Sequence, residues 1–371
     1  MIGCGARGQN RDAMSALLDC LARRLPIHSG LEGLRPAATE PAPVLFCQSS
    51  GSGGRVKTIR RSQQSWLASF EISRAHFGLS PRDRYGVLGH LGHSLALYAT
   101  LEALELGAGV LNLAGDSPRG QIAQLRALGA TVLYATPAQL QRLLLAGDGP
   151  LPAVTHVFCG GGKLDNGCRA ALSRLCPQAA IREFYGASET SFIAMADADT
   201  PAGSVGRAYP GVDLRLGEHG QIRVASPYLF DGYAEPDLPM PARFGSHLAT
   251  GDIGHVDAKG HLFLRGRESR RVKVADRNLF LEDVEAAMSA AGAPLCAAIA
   301  VPDARRGASV VAVVEGPPDD ALAARMRRHC RATLGEHAAP RRIVFVPRLP
   351  QLSSGKPDLG RVARLIGQPH G

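Results

Sequence analysis

Small residues, hydroxyls and two cations are concentrated in the stretch CQSSGSGGRVKT, residues 47–58. Its small residues leave backbone N–H groups free to face an anion, and Arg55 and Lys57 add positive charge. A Walker loop is excluded because Val56 stands where that loop needs glycine before its lysine. A dinucleotide fingerprint is excluded too, since Val56 also replaces its third glycine. The stretch predicts either another kind of anion-binding loop or a flexible turn between strand and helix.

Four further stretches place reactive or small residues at turns. FCGGGKL carries three glycines, which suit close backbone approach to a flat ligand such as a purine. FYGASET offers an aromatic face, hydroxyls and a carboxylate. In TGDIG, Asp252 could accept hydrogen bonds from two vicinal hydroxyls, and in LPQLSSGKPDLGRV a turn of small residues presents Lys356. Each stretch taken alone is more often a simple turn or cap.

Lysine is rare in this chain, with only five lysines among 42 basic residues. The ammonium of lysine is a compact point charge, whereas the guanidinium of arginine is planar and forked. The few lysines therefore indicate places where a point charge is needed. The alternative is that they were retained by chance. Lys57 and Lys356 lie in two of the stretches quoted above, and Lys273 lies in the stretch GRESRRVKVADRNLFLEDVE. Lys163 lies beside such a stretch, and Lys259 lies in a predicted hairpin turn without an evident role.

The elements around these turns alternate between short apolar runs and amphipathic segments. From Val44 this alternation predicts parallel α/β layers, and ligands in such sheets bind at the carboxyl ends of strands, where the glycine-rich turns fall. After Thr200 short strands predict a small β subdomain, and from Arg267 onward the pattern predicts an α+β module. The composition of the segment between Leu25 and Pro43 predicts a linker.

The composition is that of an ordinary globular protein. With 371 residues, 45% of them hydrophobic, the chain is long enough for two or three domains. Neither a long apolar run nor a signal peptide is evident, so we expect a cytoplasmic protein without a membrane segment. The eight cysteines include no C-x-x-C pair, so we expect neither structural disulfides nor cysteine metal sites. The charge of +9 is scattered and not interleaved with aromatics, which favours a nucleotide or an acidic partner over nucleic acid.

Taken in this order, from about Val44 to Arg361, the stretches resemble the adenylate-forming superfamily of acyl-CoA synthetases, luciferases and peptide-synthetase adenylation domains. The resemblance implies a large N-terminal domain of layered α/β sheets with a small β subdomain, residues 1–266. It implies a small mobile α+β domain, residues 267–371, with a hinge at Ser269. SSGSGGRVK resembles the family's phosphate loop, YGASE resembles Y-G-x-T-E, and GHSLALYATLEALELG resembles the stretch whose histidine borders the acyl pocket.

The resemblance also implies residue roles. Tyr185 would stack on adenine, Ser188 would contact the α-phosphate, and Glu189 would help hold Mg²⁺. The implied catalytic residues are Lys356, as the family's catalytic lysine, together with Glu189 and His93. The implied ATP site comprises Ser49, Ser50, Gly51, Ser52, Gly53, Gly54, Lys57, Gly161, Gly162, Tyr185, Gly186, Ala187, Ser188, Asp252 and Arg267. The implied acyl pocket comprises His93, Ser94, Gly160, Gly161 and Gly186. His90 is an alternative to His93.

The implied activity is that of an AMP-forming acid–thiol ligase. ATP and Mg²⁺ would activate a small carboxylic acid as an acyl-adenylate, and CoA or the phosphopantetheine of an acyl carrier protein would take the acyl group. The alternative is a descendant that binds an acyl ligand or an adenylate without forming a thioester.

Three departures from the family pattern bear on this choice. Gly53 and Val56 stand where the family's loop has Thr and Pro, which predicts a looser grip on the terminal phosphates. Asp276 stands where a glycine borders the pantetheine tunnel, so transfer to CoA in particular is in question. Only about 45 residues precede the phosphate loop. We therefore expect either a compact variant or a homodimer whose second chain covers the exposed sheet.

Overall fold

The fold was analysed in a computed structural model, which describes residues 2–4, 8–30, 32–37, 44–49, 56–147, 149–352 and 357–367. The described chain forms a large body of two sheets with flanking helices, followed by a smaller α+β unit. This is the predicted fold class, and the prediction is confirmed. The boundary at residue 267 stays a prediction.

The first sheet is built mainly from the N-terminal region. In chain order the elements of this region are β1 (Ile2–Cys4), α1 (Gly8–Ala22), β2 (Ile27–Gly30), β3 (Gly33–Pro36), β4 (Val44–Ser49), β5 (Lys57–Ser62) and α2 (Gln63–Phe77). β2, β3, β4 and β5 belong to the first sheet, whereas β1 belongs to the second. β4 pairs with β5 antiparallel and with β2 parallel. The predicted linker was therefore wrong over its first part, because β2 and β3 form a hairpin that buries Ile27 and Leu34 against this sheet.

The second sheet begins with the predicted parallel α/β layers. Its elements are β6 (Arg84–Val87), α3 (Ser94–Glu105), β7 (Gly109–Asn112), α4 (Pro118–Ala127), β8 (Val132–Ala135), α5 (Pro137–Leu144), β9 (His156–Gly160), α6 (Asn166–Leu175) and β10 (Ala180–Ala187). The parallel strands lie in the order β1-β7-β6-β8-β9-β10. Three of these helices are capped by the side chain of the residue just before the helix: Ser117 for α4, Thr136 for α5 and Asp165 for α6.

The same sheet continues as an antiparallel extension. In chain order the strands of this region are β11 (Ser191–Ala196), β12 (Ser204–Ala208), β13 (Asp213–Leu216), β14 (Gln221–Ala225), β15 (Gly232–Tyr233), β16 (Arg243–Phe244), β17 (His247–Val256) and β18 (His261–Arg267), and all but β15 belong to the second sheet. β15 leaves this sheet and joins the first one by pairing with β5. It therefore ties the two sheets together beside Lys57.

The C-terminal unit has its own hydrophobic core. Its elements are β19 (Arg271–Val274), β20 (Arg277–Phe280), α7 (Leu281–Ala290), β21 (Cys296–Asp303), β22 (Gly307–Glu315), α8 (Asp320–Leu334), β23 (Arg342–Val346) and α9 (Leu359–Leu365). α7 and α8 pack on the β21-β22-β23 sheet and bury Val284, Met288 and Met326. Ser269 is exposed in a short 3-10 turn between β18 and β19, so the hinge role stays a prediction.

Candidate active site

A single cavity of about 1140 Å³ collects most of the described residues that the sequence singled out. It opens between the two sheets of the large body and is also walled by the C-terminal unit, through Arg270, Glu285 and Leu352. The predicted residues that line it are Ser49, Lys57, His93, Ser94, Gly161, Gly186, Ala187, Ser188, Glu189, Asp252 and Arg267. Strand ends that are far apart in sequence thus meet at one place.

The turn between β10 and β11 forms one wall of this cavity. A β-bulge at Tyr185 and Gly186 begins the turn, and a Cβ at Gly186 would lie only 2.0 Å from the carbonyl oxygen of Ser191. Glycine is required here because that contact is with backbone, which cannot move aside. Ser188 Oγ lies 3.0 Å from Ser94 Oγ, at the first residue of α3. The contact joins the predicted phosphate-binding turn to the predicted acyl pocket.

A fully buried arginine, which sequence reasoning did not single out, lies behind this turn. Arg61 Nη2 donates to the carbonyl oxygen of Ser188 at 2.6 Å, and Nη1 donates to the hydroxyls of Ser191 and Ser65 at 3.0 and 3.2 Å. Burial lowers the pKa of the Arg61 guanidinium. Among the described residues, no carboxylate lies within ion-pair distance of it. Its charge is therefore directed at the backbone of the turn.

Asp252 lines the cavity and contacts two other residues of the implied ATP site. Tyr185 Oη donates to Asp252 Oδ2 at 2.5 Å, and Arg267 Nε lies 3.2 Å from Oδ1 across the β17–β18 pair. Burial and the Asp252 carboxylate raise the pKa of Tyr185, so the phenol keeps its proton and remains a donor. Asp252 is oriented as an acceptor, which suits the predicted contact with ribose hydroxyls. Tyr185 itself does not line the cavity, and its adenine stacking stays a prediction.

Glu189 and Lys57 are linked through a tyrosine. Lys57 Nζ lies 3.4 Å from Tyr233 Oη, and this hydroxyl donates to Glu189 Oε1 at 3.0 Å. Among the described residues, no group of three His, Cys, Asp or Glu side chains could hold a metal ion alone. A single carboxylate beside a lysine fits Mg²⁺, which is commonly held by one or two carboxylates together with substrate phosphates.

The two histidines of the GHLGHS stretch differ in position. His93 lines the cavity at the start of α3, whereas His90 does not, and His90 Nδ1 accepts from the backbone N–H of Gly92. Burial, and after it the neighbouring His90, lowers the pKa of His93. His93 is therefore neutral at pH 7, in keeping with a place beside an uncharged acyl group.

Several predicted residues are not on the cavity wall. Gly160 lies behind the ring of Phe184, where a Cβ would be 2.0 Å from a ring carbon, so its glycine serves this packing. Gly162 borders Pro137 instead of the cavity. Outside the described residues lie Ser50, Gly51, Ser52, Gly53, Gly54 and Lys356. The residues on either side of residues 353–356, Leu352 and Pro357, both line the cavity.

A buried carboxyl group behind the cavity was also missed by sequence reasoning. Glu102 on α3 is fully buried, and Tyr134 Oη and Tyr98 Oη donate to its two oxygens at 2.8 and 3.3 Å. Burial raises the pKa of Glu102 to about 7. This carboxyl group therefore titrates near neutral pH in the core of the larger body.

The raised pKa of Glu102 predicts a specific dependence of stability on pH. The folded state binds this proton more tightly than the unfolded state, so the group's contribution to stability falls as pH rises from about 4.5 to about 7. We expect the unfolding free energy of Glu102→Gln, relative to wild type, to rise by about 3 kcal/mol over that range, since each pKa unit is worth about 1.4 kcal/mol. Urea unfolding at several pH values measures it. Glu105→Gln, at an exposed site on the same helix, is the matched control.

Comparison with known proteins identifies the family. A family model described as "AMP-binding enzyme" matches residues 11–234, and the model of the corresponding C-terminal domain matches residues 285–356. The chain belongs to the AMP-binding enzyme family. The resemblance to the adenylate-forming superfamily is thereby confirmed. The second match ends at Lys356 itself, so this lysine falls within the AMP-binding enzyme pattern.

Curated relatives of this AMP-binding enzyme include proteins named as acyl-CoA ligases. An uncharacterized acyl-CoA ligase, YhfT of Bacillus subtilis, is 29% identical over 89% of this chain and 71% of its own length. The 3-hydroxybenzoate–CoA ligase of an Aromatoleum species is 27% identical over 89% of this chain and 68% of its own. These relatives support ligation through an acyl-adenylate as the family-level activity.

Solved structures share the fold of this AMP-binding enzyme. An ATP-bound chimera of MatB from Rhodopseudomonas palustris, RpMatB-BxBclM chimera B1, superposes with a TM-score of 0.75 at 24% identity, over 86% of this chain and 68% of that one. The Bacillus subtilis o-succinylbenzoate CoA synthetase with its acyl-adenylate intermediate gives 0.74 at 21% identity, over 88% and 69%. Within the described residues, no helix is long and apolar enough to cross a membrane.

Proposed function

We propose that this protein activates a small carboxylic acid with ATP as an acyl-adenylate and transfers the acyl group to a pantetheine thiol. The observation that supports this most directly is the cavity in which Ser188, Glu189 and the Asp252–Arg267 pair share one space with an apolar inner end. A nucleotide and an acid held there would meet near the Ser94–Ser188 contact. Holding two reactants together in this way replaces an encounter in solution.

In the first step a carboxylate oxygen attacks the α-phosphorus, and the bond to the departing pyrophosphate breaks. Both reactants are anions, so the step needs cations and N–H donors that are already in place. Lys57, Arg267 and the Arg61-supported turn supply them around the cavity. The role proposed for Lys356 is to neutralise charge on the carboxylate and the α-phosphate. Glu189 would hold Mg²⁺ together with the phosphates, and the ion would neutralise part of the charge of the triphosphate.

In the second step a thiol sulfur attacks the acyl carbon, AMP leaves, and the thiol proton is released to solvent. The rim of the cavity carries Arg142, Arg265 and Arg348, which suit an anionic acceptor such as CoA or an acidic carrier protein. The small domain from residue 267 swings about Ser269 between the two steps.

A second candidate is an enzyme that forms the adenylate without transferring it. It is favoured by Asp276, which occupies the left-handed region at φ 64° and pairs with Lys273 at 3.1 Å, at the place where the family has a pantetheine-bordering glycine. A charged side chain at this turn would crowd an anionic acceptor.

The test is carboxylate-dependent exchange of pyrophosphate into ATP over a panel of aryl and aliphatic acids, followed by thioester formation with CoA and with a holo acyl carrier protein. We expect exchange with at least one acid, dependent on Mg²⁺, and a thioester with one acceptor. Exchange without any thioester would establish the second candidate, and no exchange with any acid would exclude both. Omitting the acid is the control for ATP turnover.

A further inference from the structure

The inner end of the cavity is lined by five aromatic side chains: Trp66, Tyr98, Phe192, Phe184 and Tyr134. The ring of Tyr98 packs edge-on against Trp66 and Phe192, with centroid distances of 5.3 and 5.1 Å, and Phe184 packs on Phe192 at 4.6 Å. Edge-to-face packing of this kind fixes each ring by its neighbours. The inner end is therefore an apolar, rigid aromatic enclosure.

This aromatic enclosure is closed at its far end. The hydroxyls of Tyr98 and Tyr134 are both bound to Glu102, which is fully buried and does not line the cavity. The two rings are thereby tied to the core behind them, and their polar atoms are engaged away from the cavity. Along α3, Tyr98 lies one helical turn beyond Ser94, which is a rise of about 6 Å.

We propose that the acyl substrate is a compact aromatic carboxylic acid of the benzoate type, whose ring occupies this enclosure; the proposal rests on the function proposed above. One planar ring fills a depth of one helical turn and gains ring contacts on several sides. A long alkyl chain would need depth beyond Tyr98, which the Glu102 hydrogen bonds close off. A polar group on the far side of the ring would be buried without a partner, which is costly.

The first test compares acids with equal numbers of carbon atoms in the pyrophosphate exchange assay: benzoate, cyclohexanecarboxylate and heptanoate, with dodecanoate as the long-chain arm. We expect kcat/KM for benzoate to exceed that for heptanoate by about tenfold or more, with cyclohexanecarboxylate between them and no exchange with dodecanoate. Heptanoate or dodecanoate performing as well as benzoate would overturn the proposal.

A second test does not depend on catalysis. Trp66 is the only tryptophan of the chain, so its fluorescence reports directly on the enclosure. We expect benzoate to change this fluorescence saturably, and heptanoate at the same concentrations to leave it nearly unchanged. Binding of benzoate without exchange would leave the substrate class standing and remove the proposed reaction. Absence of benzoate binding would overturn the substrate class.

A pair of variants locates the closed end. Tyr98→Ala should admit acids with a longer substituent, such as 4-butylbenzoate, and raise their kcat/KM relative to benzoate by about tenfold. Tyr85→Ala is the matched control, because Tyr85 stacks on Tyr134 at 6.0 Å and is fully buried, yet does not line the cavity. Equal gains in both variants would contradict a closed end at Tyr98. The wild-type panel decides the substrate class even if Tyr98→Ala fails to fold.

Discussion

Lys356→Ala should slow acyl-adenylate formation by about a hundredfold or more while leaving thermal unfolding unchanged. Removing one well-placed group that stabilises developing charge typically costs this much. Lys356 is followed in the sequence by Pro357, which lines the cavity together with Leu352. A mobile ammonium can follow charge as it moves from carboxylate to bridging oxygen, which a rigid fork does less well. Pyrophosphate exchange measures the change.

The control for Lys356 is a second lysine far from the chemistry. Lys259→Ala removes an exposed lysine from the hairpin turn between β17 and β18, and exchange should continue at the wild-type rate. Exchange that survives Lys356→Ala would remove Lys356 from its proposed role. Loss of exchange in both variants would indicate a general effect of charge instead of a local one.

Elements with strong local patterns were predictable from the sequence. The period of apolar residues predicts α2 at Gln63–Phe77, and the structure has the same bounds. In the C-terminal unit, α7 and the elements from β21 to β23 were predictable, because these strands are apolar runs and α8 has a clear apolar face. One strand was expected before α7, but the structure has the β19–β20 pair there. Glycine-rich turns after strands also predicted where the site would form, since strand ends of parallel layers meet at one edge.

Elements defined by pairing between distant segments were not predictable. β5, with the sequence KTIRRS, has no strand-like run of apolar residues, and it becomes a strand because it pairs with β4 on one side and β15 on the other. The β2–β3 hairpin lies in a segment rich in Gly and Pro and is held by β4 in the same way. Local propensity carries little information about such contacts.

Site residues that lie in a sequence motif were predictable, whereas the buried residues behind the cavity wall were not. Ser188, Glu189 and Asp252 lie in recognisable turns and line the cavity. Arg61 and Glu102 lie in ordinary strand and helix sequence, and their importance comes from complete burial, which only the folded structure reveals. For Glu102 the only signal was a charged residue between two apolar ones, Leu101 and Ala103, and this signal is weak. Arg61, between Arg60 and Ser62, carried no such signal.

The effect of replacing Arg61 should be large, because its guanidinium connects stability to the site. Arg61→Met should lower the unfolding free energy by about 3 kcal/mol or more, since it leaves the Ser188 carbonyl and the Ser191 hydroxyl without their buried donor. In the molecules that do fold, the Ser188 turn loses its support, and the exchange rate should fall by at least about tenfold. Urea unfolding and exchange per folded molecule measure the two effects separately.

The neighbouring residue on the same strand is the matched control for Arg61. Arg60 forms a half-exposed ion pair with Asp231 at 3.2 Å, and such pairs contribute less than about 1 kcal/mol, so Arg60→Met should change neither quantity appreciably. Arg61→Lys keeps the charge but has one donor nitrogen, whereas the guanidinium of Arg61 presents two to the turn. This variant should recover part of the unfolding free energy without restoring the exchange rate. If Arg61→Met unfolds more easily yet exchanges at the wild-type rate per folded molecule, Arg61 supports only the core, and the Ser188 turn does not depend on it for catalysis.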